Sequence, residues 1–72
     1  MDPNKTWQEI VRLLNLSEEE GDINEEETVE LKNHISNLYG WIKRGGFVPK
    51  ELESLNGTAC LFVLKSMWEL LE

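Results

Sequence analysis

One cysteine and one histidine are all that the 72 residues contain of those two types, and this scarcity removes several kinds of chemistry at once. A structural zinc site needs several His or Cys ligands converging on one ion, so zinc is excluded. A lone thiol has no internal disulfide partner, which fits a reducing compartment. Long apolar runs are missing too: the longest is Ala59 to Leu64, far below the roughly 18 residues that suggest a membrane span. The opening MDPNKTWQ has no basic start followed by an apolar stretch, so no export signal is expected and the cytoplasm is the expected compartment. Three Asn-x-Ser/Thr matches, at Asn4, Asn15 and Asn56, therefore carry no weight as glycosylation sites.

Bases are also scarce, and unevenly so. Residues 1 to 30 hold ten acids and two bases, residues 31 to 50 four bases and no acid, and residues 51 to 72 four acids and one base, for a net charge of −7. From Ser17 to Glu30 there are eight acids and no base at all. Such a surface repels phosphate and anionic lipid, so direct binding to nucleic acid or membrane is not expected. The favoured partner is another protein with a basic surface.

What is present is enough to fold. Forty per cent apolar residues and three tryptophans exceed what a disordered tail carries, while 72 residues make one small domain near the lower limit of self-sufficiency. Thr6 with Glu9 three residues on has the form of a capping box, and Trp7, Ile10, Val11, Leu13 and Leu14 then share an arc of about 160°, so a helix is expected over about 6 to 16. Asn24 as cap and Glu25, Glu26 and Glu27 in a first turn predict a second helix from 25 to 44. Leu31, Ile35, Leu38 and Ile42 repeat along it at helical spacing, and Lys43, Arg44 and the Gly45-Gly46 pair end it. Pro49 suits the start of a short helical turn over 49 to 55 that brings Leu52 and Leu55 inward.

The run from Thr58 to Leu71 is continuous enough to read as strand or helix, and its length decides for a helix. Its apolar arc spans about 180° and holds Cys60, Leu61, Val63, Leu64, Met67, Trp68, Leu70 and Leu71. One neighbouring helix covers less than that. Phe62 falls outside the arc, beside Lys65 and Glu69, which reads either as a helix sandwiched between partners, another chain among them, or as a phenylalanine covered by the Gly45 to Pro49 loop or simply exposed. The expected fold is thus all-α, a small bundle of three helices plus a short connecting helical turn, with an acidic connection at about 17–24.

Each remaining chemical possibility meets an obstacle. Residues 16 to 27, LSEEEGDINEEE, resemble an EF-hand loop when Gly21 is set at its sixth position, with Glu18 and Glu20 at the third and fifth and Glu27 at the twelfth. Leu16 stands where that loop needs its first carboxylate, and there is no second loop to pair with. Cys60 lies in the most apolar arc, which suits a packed thiol better than a nucleophile with His34 as base. Gly45-Gly46 ends a helix and has neither the preceding strand nor the Lys-Ser/Thr pair of a phosphate loop. No catalytic residue, metal or cofactor is expected. The stretch LYGWIKRGGFVP is similar to an aromatic helix end followed by Gly-Gly-Phe-x-Pro seen in small prokaryotic and phage proteins. That resemblance bears on origin, suggesting a phage or mobile element, and not on mechanism.

The expected function is non-catalytic protein binding, as a regulator or inhibitor. Trp41, Phe47, Phe62 and Trp68 are the candidate apolar anchors. Glu18, Glu19, Glu20, Asp22, Glu25, Glu26 and Glu27 are the candidate electrostatic contacts; the plainer reading of the same acids is a solubilising tether that runs into a dipole-matched helix start. Two alternatives stand beside it: an acidic mimic of nucleic acid that blocks a basic nucleic-acid-binding protein, and a structural protein that self-associates into a homo-oligomer.

Overall fold

Pro3 opens the first helix because a proline at the first helical position has no N–H to leave unsatisfied and its fixed φ already suits a helix. Asp2 caps it, its side chain accepting from the backbone of Asn4 at 3.0 Å and Lys5 at 3.3 Å. The helix therefore begins a turn earlier than Thr6, whose hydroxyl donates instead to the Asp2 carbonyl at 3.1 Å. Glu9 does not close a capping box and turns to Arg12, at 2.6 Å. The computed structural model describes residues 1–21 and 24–71; Asp22, Ile23, Glu72 and the side chains of Glu18, Glu19 and Glu20 lie outside that description.

Among the described residues the chain forms three helices, α1 (Pro3–Glu20), α2 (Glu25–Lys43) and α3 (Gly57–Leu70), with a 3₁₀ turn at Lys50–Leu52 between the last two. The fold is an all-α bundle, and among the described residues there is no strand. None of the helices so described is long and apolar enough to cross a membrane. α2 is central and packs against both α1 and α3. Its start follows the sequence signal closely: Asn24 accepts from the Glu27 amide at 2.8 Å, and the Glu27 carboxylate accepts from the Asn24 amide at 3.4 Å.

α1 runs on to Glu20, well past the expected end at residue 15 or 16. Glutamate is a good helix former, and the helix runs on until Gly21 takes the left-handed conformation, with φ of 80°. Residues 17 to 20 are thus helical, and the acidic connection is shorter than the 17–24 expected.

The core is Ile10 and Leu13 from α1, Leu31, Ile35, Leu38 and Ile42 from α2, and Cys60 and Leu64 from α3. No described polar side chain is fully buried. Leu14, expected inward, lies at the surface with 36% of its area exposed, because α1 has one close helical neighbour and a 160° arc is wider than that neighbour covers. Leu70 departs further, at 85% exposed, for the same reason.

Past α2 the chain reverses in a Schellman motif. Gly46 donates to the Trp41 carbonyl at 2.9 Å and Gly45, at φ 94°, to that of Ile42 at 3.0 Å. Pro49 is buried and precedes the 3₁₀ turn as its cap; Leu52 and Leu55 pack against the core as their spacing implied. This connection is fastened to the start of α1: the Lys50 amide donates to Asn4 Oδ1, and Trp7 Nε1 donates to Glu51 Oε2 at 2.8 Å. Asn56 then caps α3, accepting from the Ala59 amide at 2.8 Å.

Candidate interaction surfaces

The short link from Gly21 to Asn24 brings the end of α1 and the start of α2 to the same end of the bundle, and with them the acids. Glu18, Glu19 and Glu20 occupy the last turn of α1, where the helix dipole is already negative and no basic residue offsets it. Glu25, Glu26 and Glu27 occupy the first turn of α2, where the dipole is positive and carboxylates are favoured. Glu25 and Glu26 are exposed, whereas Glu27 is engaged in its capping box and only half exposed. Of the seven predicted acidic contacts, Asp22 and the side chains of Glu18 to Glu20 lie outside the described residues.

Just inside this end, α1 and α2 are linked by a run of charges. Arg12 Nη2 lies 3.7 Å from Glu30 Oε1, and the same oxygen lies 3.7 Å from His34 Nε2. The hydrogen bond from Arg12 holds the Glu9 carboxyl below its ordinary value and raises the guanidinium further. These groups are solvent-exposed or nearly so, and pairs of this kind contribute little to stability.

The four predicted apolar anchors have different fates. Trp41 is occupied at home, with Nε1 donating to the Phe47 carbonyl at 3.0 Å and the two rings meeting edge to face at 5.8 Å. Phe47 nevertheless remains 63% exposed. Trp68 is half-buried, with Lys32 Nζ 4.4 Å from its ring centroid. It lines a groove of about 350 Å³ between α2 and α3, together with Ile35, Tyr39 and Leu64, with Ser36, Lys65 and Glu69 beside them. Phe62 is 73% exposed, as its place off the apolar arc implied.

Leu70, like Leu14, is exposed where the sequence reasoning placed it inward. Leu70 stands two turns beyond Phe62 on α3, and the helix wheel placed it in the buried arc. The signal that pointed to it was the width of that arc, which exceeds what a single neighbour covers.

The groups capable of chemistry are dispersed or shielded. Cys60 has no solvent exposure, and burial pushes its thiol above the ordinary value, which disfavours the nucleophilic thiolate. His34 belongs to the charged seam between α1 and α2. Among the described residues no group of three His, Cys, Asp or Glu side chains is disposed to hold a metal. No known protein family, curated protein or solved structure matches this chain.

Proposed function

We propose that the protein is a non-catalytic protein-binding module whose acidic end, formed by the close of α1 and the opening of α2, recognises a basic surface on its partner. The observation that carries this is an electrostatic imbalance. Glu18, Glu19 and Glu20 sit at the negative end of the α1 dipole, and from Leu13 to Leu31 the chain has no lysine or arginine. A fold selected for stability alone gains from lysine or arginine in that turn. Carboxylates there oppose the dipole and raise the negative potential, and a basic partner relieves both costs on docking. The buried, alkaline-shifted Cys60 supports a binding role over a catalytic one.

The test is affinity capture at low and high salt with the wild-type chain, a Glu18/Glu19/Glu20→Gln variant and a Glu25/Glu26→Gln variant, followed by titration of the recovered protein in purified form. The expected partner has a basic surface, binds more weakly as salt rises, and loses affinity to both variants. Equal recovery by all three chains, or affinity indifferent to salt, removes this function.

A further inference from the structure

We infer that a second copy of this chain docks antiparallel on the exposed face of α3, with Ser66 at the two-fold axis and Phe62 of each copy against Leu70 of the other. Phe62, Ser66 and Leu70 are spaced i, i+4, i+8 and so form one ridge spanning about 80° of the helix surface. Ridges of that spacing interlock when two helices cross in the commonest packing class. The two large apolar side chains at the ends of the ridge are the most exposed in the described structure, at 73% and 85%. The small Ser66 midway between them lets two helices approach closely. The ridge is also its own complement: turned end for end about Ser66, Phe62 meets Leu70 and Leu70 meets Phe62, as a two-fold interface requires.

Charge selects the occupant and the orientation. Within α3, Lys65 and Glu69 cancel, so this face holds no attraction for a basic partner, which is drawn instead to the end carrying Glu25 and Glu26. Each copy carries a net charge of −7, so a pairing that stacks the acidic ends is repelled. α3 runs opposite to α2: a Cβ at Gly57 would lie 3.9 Å from Ile42, while Trp68 lies beneath Lys32. The acidic start of α2 therefore lies towards the end of α3, and Lys43 and Arg44 lie near its beginning. Antiparallel docking about Ser66 puts the two acidic ends at opposite ends of the dimer, each at the same end as the Lys43 and Arg44 of the other copy, with the two α2 helices on the outer faces. This interface is independent of the partner-binding function: a monomer that captured a basic protein would keep that function and eliminate this one.

Sedimentation of the full chain over two decades of concentration is the primary test. The mass is expected to rise from 8.4 kDa towards twice that value. Phe62→Glu and Leu70→Glu should each weaken association by about tenfold or more while leaving the helical circular dichroism unchanged, since both side chains are exposed. Ser66→Cys, oxidised in air with copper-phenanthroline, should give a disulfide-linked dimer rapidly, and Asn37→Cys on the exposed face of α2 should not; buried Cys60 stays out of the reaction. A wild-type mass that stays monomeric throughout overturns the proposal. So does a dimer unaffected by both glutamates, or cross-linking at residue 66 no faster than at residue 37.

Discussion

Gly46 has no room for a side chain, since a Cβ there would overlap the indole of Trp41. The same indole is held by the Phe47 carbonyl, so the turn after α2 is built around an aromatic ring that needs a glycine beside it. Gly46→Ala should cost about 1–3 kcal/mol through this overlap. Thermal denaturation should show the loss, and tryptophan fluorescence should shift as the ring moves. Cys60 gives a second residue-level expectation, in pH. Its thiol is shifted upwards from 9.0 by burial, so the folded state retains the proton at pH values where the unfolded chain has released it. A raised value of this kind contributes stability that is fully present below the unfolded value and is lost as pH climbs towards the folded one. The stability advantage of the wild type over Cys60→Ala should accordingly shrink as the pH is taken above 9.0. A constant difference across that range would contradict the assignment.

At the scale of elements, α2 was legible because its signals agree. Asn24 and three glutamates mark its start, Leu31, Ile35, Leu38 and Ile42 its buried stripe, and Gly45 its end. α1 was legible as a helix but not in its limits, since Asp2-Pro3 and Thr6 with Glu9 offer competing starts and only the structure shows which amides are capped. Its end was missed because the expected helix stopped where its apolar arc runs out, just past Leu14, although glutamate propagates a helix well without an apolar face. Of the interaction surfaces, Phe62 was readable from its angle alone. Leu70 was not, because a helix wheel gives direction and says nothing of where neighbouring helices run out. Two substitutions separate these effects. Asn24→Ala removes the capping box and should cost about 1 kcal/mol. Glu20→Lys replaces a mismatched charge at the end of α1 with a matched one and should stabilise by about 0.3–1 kcal/mol at low salt. Denaturant titration measures both. A gain in stability at Glu20 accompanied by weaker partner capture is the combination that the proposed function requires.

Across the whole molecule, the arrangement of charge governs behaviour more than any single pair does. The core is a single seam along α2, completed by the strap from Trp7 to Glu51, and a chain of this size has little stability in reserve. Against that small margin stands the repulsion among eight acids between Ser17 and Glu30, a segment that contains no base. The few attractive contacts include Arg12 to Glu9 at 2.6 Å, a distance so short that mobile ions do not separate the two charges. The repulsions extend over longer distances through solvent, where a Debye length of about 10 Å at 0.1 M falls to about 3 Å at 1 M. Monovalent salt should therefore screen the repulsions more than the attractions and raise the melting temperature of the chain. Glu18/Glu19/Glu20→Gln should flatten that dependence, since it removes three of the eight repelling charges. Measured at a concentration too dilute for self-association at any of the salt levels, the two melting curves against salt decide the matter. A wild type that loses stability as salt is added would place short-range ion pairs, not the acidic end, in control of the electrostatics.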